Sequence, residues 1–170
     1  MLIREATISD AFSIAKVHID SWLTTYKGIV SDDYLNSLSY SQKEKAWVNI
    51  INDAQKNTKY IYVAHDDNNG IIGFTSFGIE RESDTTFKGE IYAIYIIKQY
   101  QNKGIGKLLF NSAIKKLNEL NIHSMLIWAL EENKQACRFY ELIGGRKVKE
   151  RYIDIGNETF KEVAFGWINT

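Results

Sequence analysis

The stretch from Glu90 to Leu117 constrains the fold more than any other part of the chain. Glu90-Ile-Tyr-Ala-Ile-Tyr-Ile-Ile97 is an apolar run rich in aromatic and β-branched residues, the composition of a buried strand. Gln101-Asn-Lys-Gly-Ile-Gly106 follows, a turn carrying two glycines. Beyond it, Leu108, Leu109, Ala113, Ile114 and Leu117 fall near one face of a helix. A strand entering such a turn and then a helix can hold phosphate, because free backbone N–H groups converge there and the helix dipole favours an anion. Gly104 and Gly106 permit positive φ and close approach of the backbone.

Three phosphate loops make different demands. A Walker A loop needs a hydroxyl after Gly-Lys, but Gly106-Lys107 is followed by Leu108. A dinucleotide loop needs a third glycine where Leu109 stands, inside an N-terminal βαβ unit that is absent here. The pattern Gln/Arg-x-x-Gly-x-Gly/Ala is met at every fixed position by Gln101, Gly104 and Gly106. Further on, Asn133-Lys-Gln-Ala136-Cys-Arg-Phe139-Tyr140-Glu-Leu-Ile-Gly144-Gly145 follows the pattern Asn-x-x-Ala-x-x-Phe-Tyr-x-x-x-Gly-Phe/Gly. The two motifs, in this order with one strand between them, resemble the GNAT superfamily of N-acetyltransferases. The order of elements elsewhere also fits, so the resemblance covers essentially the whole chain.

The remaining elements follow from pattern. Leu2–Ala6 reads as a strand. A helix spans Thr7 to about Tyr26, capped by Thr7 or Ser9, with Ala11, Ile14, Ala15, Ile19, Trp22 and Leu23 as its stripe. Ser31 caps a short helix whose first turn is acidic. Ser41-Gln-Lys-Glu44 reads as a capping box opening a helix to about Ala54. Strands near 59–65 and 71–80 meet at Asn69-Gly70, a hairpin signal. Ser124–Leu130 reads as a buried strand parallel to the central one, and strands near 146–153 and 159–167 close the chain. The expected fold is one α/β domain over 1–170: a GNAT acyl-CoA N-acyltransferase fold, with a mixed, mostly antiparallel sheet of about seven strands flanked by helices.

Composition narrows the partners. A formal net charge of zero argues against nucleic-acid binding by bulk positive charge. The single cysteine, Cys137, excludes an internal disulfide and suits a reducing compartment. The N-terminus does not read as a signal peptide, and no apolar run is long enough to span a bilayer. A cytoplasmic protein is therefore expected. His18, His65 and His123 have no metal-ligand spacing, and no metal is expected.

The resemblance implies acetyl-CoA as cosubstrate and assigns residues to it. Gln101, Asn102, Lys103, Gly104, Ile105, Gly106 and Lys107 would cradle the pyrophosphate, mostly through backbone N–H groups. Ile94, Tyr95 and Ile96 would offer backbone groups to the pantetheine arm. Asn133, Ala136 and Tyr140 fall at i, i+3 and i+7 on one helix face that would look at that arm. Asn133 also reads as a plain N-cap.

Tyr140 would give a proton to the departing thiolate, or else is an ordinary core tyrosine. Glu90, by its position before the loop, resembles the general base of the histone-acetylating branch. It also reads as an ordinary strand-edge carboxylate beside Gly89, with water as the base. Trp22 and Tyr26 would border the acceptor pocket, with Glu90. Cys137 reads as a small buried hydrophobe.

The implied reaction is direct acetyl transfer to a primary amine on a small molecule or peptide. The alternative is a CoA-binding regulatory module without turnover. Phe165 and Trp167 should share one sheet face. Relatives with final strands like these often pair across dimers, so the resemblance allows a homodimer.

Overall fold

The computed structural model describes residues 1–54, 56 and 58–170. Seven strands form one sheet in the order β1-β2-β3-β4-β5-β7-β6. They are β1 (Leu2–Glu5), β2 (Lys59–Asp66), β3 (Gly70–Ile79), β4 (Gly89–Ile96), β5 (Ser124–Leu130), β6 (Arg146–Ile155) and β7 (Glu158–Ile168). Every pairing is antiparallel except β4 with β5. The helices are α1 (Ala11–Thr25), α2 (Asp32–Asn36), α3 (Tyr40–Ala54), α4 (Ile105–Glu119) and α5 (Lys134–Leu142).

Both faces of the sheet are covered, and strand alternation decides what goes where. On β2, Ile61 and Val63 pack with Ala11, Ile14 and Trp47 of α1 and α3. Their neighbours Tyr60 and Tyr62 face the other way, toward Phe77 and the α4 residues Phe110, Ala113 and Leu117. Phe165 and Trp167 do share a face, in that same second cluster. Strand β7, however, lies between β5 and β6 and is paired along both edges. Strand β7 therefore has no free edge to offer a second copy.

One helix start chooses between the two caps that the sequence offered, and another differs in detail from the sequence reading. Thr7, not Ser9, begins the first turn, and its N–H donates to the Asp10 carboxylate at 2.7 Å. Ser41 lies inside α3, because the helix opens two residues earlier. Ser39 Oγ accepts from the Gln42 N–H at 3.3 Å and does the capping. Both serines precede the apolar period, and the pattern alone does not separate them.

The feature that makes room for a site is the parting of β4 from β5. Their register holds only over Gly89↔Met125, Glu90↔Leu126 and Ile91↔Ile127. On its other side β4 has a bulge: Ser76 faces Ala93 while Phe77 faces Ile91, leaving Tyr92 as the extra residue. A bulge bends and twists the strand that carries it. This one falls where β4 leaves β5. From Tyr92 on, one edge of β4 has no strand beside it, while β5 stays paired with β7 along its length.

Candidate active site

The gap opens into a cavity of about 650 Å³. The 101–107 turn lies at one part of its wall, and Tyr26, Tyr92 and Trp128 line another. Ile94, Tyr95 and Ile96 line it from β4, and Asn133, Ala136 and Tyr140 from α5.

Gly104 is the N-cap of α4 at φ +80°, a left-handed conformation that most side chains resist. A Cβ at Gly104 would meet nothing within 4 Å, so the turn needs its φ and not its small size. Gly106 is the reverse case: a Cβ there would come 3.2 Å from Phe139 Cζ and 3.4 Å from Ile96 Cδ1. Among the described residues, the backbone N–H groups from Asn102 to Lys107 have no backbone acceptor, and the first such bond of α4 runs from Leu108 N to Gly104 O. No side chain caps the helix. A row of unpaired N–H groups at the positive end of a helix dipole is an anion seat.

The other residues of the turn divide by task. Gln101 lines the cavity, but its amide braces the site: Nε2 donates to Ile96 O at 3.1 Å, and Oε1 accepts from Gln135 Nε2 at 3.2 Å. Lys107 lines the cavity, whereas Lys103 Nζ sits 5.1 Å from the Tyr100 ring centre and does not line it. The Ile105 side chain is buried in the core with Leu109 and Ile72, which leaves its N–H as the part that can bind. Arg138 of α5 also lines the cavity and supplies a cation that neither motif singled out.

Asn133 holds both of its sequence readings. It caps α5, with Oδ1 accepting from the Ala136 N–H at 3.1 Å, and it lines the cavity. Cys137, one residue past Ala136, is buried in the core, with Sγ 3.6 Å from Leu130 O. Burial raises its pKa, which keeps the thiol protonated and inert.

Tyr140 is buried, yet its ring forms part of the cavity wall, and no described residue hydrogen-bonds its hydroxyl. Burial pushes the phenol well above its usual pKa, with smaller contributions from Tyr26 and Cys137. Such a group stays protonated and can donate.

Two expected residues sit elsewhere. Glu90 is 1% exposed and does not line the cavity. Its carboxylate is taken by Arg81, through Nε at 3.0 Å, through Nη2, and through the backbone N–H at 3.2 Å. The expectation that Glu90 faces an incoming amine is corrected accordingly: a closer cation holds the carboxylate. Trp22 does not line the cavity either; its indole N–H donates to Tyr95 Oη at 3.0 Å. Tyr26 does line it, with Ser21 and Thr25, from the last turn of α1. His18 stacks on Tyr95 at 4.9 Å and accepts from Trp47 Nε1 at 3.3 Å through Nδ1. Burial holds His18 near a pKa of about 3, so it is neutral. Among the described residues no cluster of His, Cys, Asp and Glu could hold a metal.

A parting parallel pair, with a glycine turn opening a helix beside the gap, is the arrangement of an acyl-CoA-dependent transferase. Residues 20–144 match the acetyltransferase (GNAT) family, and the chain belongs to that family and is an N-acetyltransferase. It is 37% identical over 165 residues to the uncharacterized N-acetyltransferase YuaI of Bacillus subtilis, covering 97% of this chain and 91% of that one. It is 30% identical over 141 residues to a spermidine N(1)-acetyltransferase of Thermoplasma acidophilum, 81% of this chain and 83% of that one. Among solved structures it resembles the PaiA N-acetyltransferase of Thermoplasma acidophilum in complex with coenzyme A. That likeness has a TM-score of 0.76 and 26% identity, over 95% of this chain and 96% of that one. Among the described residues no helix is long and apolar enough to cross a membrane.

Proposed function

We propose that the protein transfers acetyl from acetyl-CoA to a primary amine by direct attack. One observation carries the reading: Asn102, Gly104, Gly106 and Lys107, whose N–H groups have no backbone acceptor, line the same cavity as Tyr140, whose hydroxyl has no partner among the described residues. The turn and Lys107 would bind the pyrophosphate. The unpaired edge of β4 over Ile94–Ile96 would bond the pantetheine amides and align the thioester, with Ala136 leaving space for the arm.

The amine nitrogen adds to the thioester carbonyl carbon. The tetrahedral intermediate then collapses, the C–S bond breaks, and its electron pair leaves on sulfur. Tyr140 gives its proton to that thiolate and is reprotonated from solvent. The extra proton on nitrogen leaves to water, since among the described residues no carboxylate lines the cavity.

Ser21, Thr25 and Tyr26 stand at the carboxyl end of α1, where the helix dipole favours a positive charge, and this suits the approach of an amine. A relative that acts on spermidine supports an amine acceptor. The test is release of free CoA from acetyl-CoA across a panel of polyamines, amino acids and peptide amines. Release with at least one amine is expected. Tight CoA binding without release on any amine overturns catalysis and favours a regulatory module.

A further inference from the structure

The ladder between β4 and β5 ends at Ile91 and Ile127, so the sheet does not fix how far apart Tyr92 and Trp128 stand. Both rings line the cavity, on the part of its wall that also holds Tyr26. A route outside the sheet joins them. The Arg81 guanidinium lies 4.7 Å from the centre of the Tyr92 ring, and the Arg151 guanidinium lies 4.0 Å from that of Trp128. Glu82, the residue after Arg81, bonds Arg151 Nη1 through its carboxylate. Tyr92, Arg81, Glu82, Arg151 and Trp128 thus form one continuous bridge from one wall of the gap to the other.

Most joints of this bridge are anchored. Arg81 is held by Glu90, and Arg151 Nε donates to Glu162 of β7 at 2.7 Å. Tyr92 Oη donates to Ile79 O at 2.5 Å, which ties the end of its ring to β3. The Glu80 carboxylate accepts from the backbone N–H of Glu82 at 3.0 Å and of Asp84 at 2.7 Å, so the turn that carries Glu82 is itself braced. Asp84 in turn pairs with Lys149 of β6. A guanidinium can stack on a ring face and still bond carboxylates at its rim, which is how Arg151 makes all its contacts at once. The joint open to solvent is Glu82 with Arg151, where the Glu82 side chain is 55% exposed.

We propose that the Glu82–Arg151 pair sets the separation of Tyr92 and Trp128, and with it the width of the amine that the gap admits. This rests on the acetyl-transfer reading above. Glu82 and Arg151 touch no reacting atom; they are positioning residues that act through the two rings. An unbranched acceptor passes between the rings and gains contact with both. A broader one must part them against the pair.

The test reads the wall and the selectivity separately. 5-Fluorotryptophan in the acetyl-CoA-bound protein gives one fluorine resonance per tryptophan, and Trp128→Phe identifies that of Trp128. Glu82→Gln removes the charge from an exposed joint and should keep the fold. It should shift or broaden the Trp128 resonance and leave those of Trp22, Trp47 and Trp167 in place. Arg151→Met takes away the stacked cation as well and should shift the Trp128 resonance further. Acetyl-CoA affinity by calorimetry should change in neither variant. The kinetic arm uses unbranched and branched primary amines, of which wild type should prefer the unbranched. Glu82→Gln should raise KM for the unbranched amines by about two- to fivefold, the factor that an exposed ion pair carries, with kcat unchanged. The preference for unbranched over branched amines should fall by the same factor, whereas a general loosening of the fold would lower activity on both alike. A preference unchanged in both variants overturns the proposal, as does a Trp128 resonance that neither variant moves. Wild-type protein that acetylates no amine overturns the transfer reading instead, and the fluorine spectra alone then decide whether the bridge holds the two walls.

Discussion

Arg81 grips Glu90 at both carboxylate oxygens, and it does so at the point where β4 begins. Nε and the backbone N–H of Arg81 bond Oε2, while Nη2 bonds Oε1. The Glu90 side chain is 2% exposed and that of Arg81 is 50% exposed. The Arg81 guanidinium also lies 4.7 Å from the centre of the Tyr92 ring, so the pair fixes the bulged residue of β4 as well.

Glu90→Gln tests this structural role. The amide keeps the shape but replaces one acceptor oxygen with an NH₂ that faces a guanidinium. Stability should fall by about 1–3 kcal/mol, the cost of a buried polar group left unsatisfied. Thermal melting reads that loss, and CoA affinity should not change. The pH–rate profile should keep its shape. A rate loss confined to low pH and relieved by raising pH, at unchanged melting temperature, would restore Glu90 as the general base.

A second pair controls acid stability. Arg4 bonds both oxygens of Asp10 at 2.7 and 2.9 Å, and the Thr7 N–H adds a third bond. The Arg4 bond is the main reason that the Asp10 pKa is held down to about 2. An unfolded aspartate titrates at about 3.9. A depressed folded value means that the contribution is full above the unfolded pKa and is lost as pH falls through about 2. Denaturant midpoints should therefore place wild type above Asp10→Asn at neutral pH. The gap should close between about pH 4 and pH 2. A gap that stays constant down to the acid end would mean that the carboxylate charge plays no part.

How much of this was readable from sequence depends on the range of the interaction. Gly104, Gly106, Asn133 and Tyr140 stand in local motifs, where the residue type answers a local demand: a positive φ, a close helix contact, a cap, a helix face. Their places in the cavity wall followed. Glu90 could not be placed this way, because the residue that competes for it is nine positions upstream, across the β3–β4 connection. Trp22 and Tyr95 are 73 positions apart, and no periodicity joins them. The bulge at Tyr92 leaves the apolar run over 90–97 looking like an unbroken strand. Yet that bulge marks where the site opens.

The turn offers a prediction that separates conformation from contact. Gly104→Ala should cost roughly 1–2 kcal/mol for a left-handed φ, with CoA affinity largely kept, since nothing lies within 4 Å of a Cβ there. Gly104→Glu carries the same strain and adds an anion beside the unpaired N–H groups. Calorimetry should show CoA affinity lost in the second variant alone. Equal affinity in both folded variants would remove the turn from the pyrophosphate site.

The chemical role of Tyr140 is separable from its packing. Its ring packs on Phe139, Phe165 and Trp167, with centroid distances of 5.4, 5.7 and 6.4 Å, and these contacts need no hydroxyl. Tyr140→Phe should therefore keep both the fold and CoA affinity, while kcat falls by roughly 10²–10⁴, the range for a lost general acid. The pH profile sharpens the test. Burial raises the Tyr140 pKa, so its proton stays in place as pH increases, well past the point where an ordinary phenol of about 10 begins to ionise. The rate in wild type should climb as the acceptor ammonium loses its proton, and show no alkaline decline in the assayable range. Tyr140→Phe should run parallel to it at a lower level, because the thiolate then leaves without a proton from the protein at every pH. With an acceptor that turns over, a Tyr140→Phe enzyme working at wild-type rate across that range would make Tyr140 a core residue and leave the thiolate to solvent.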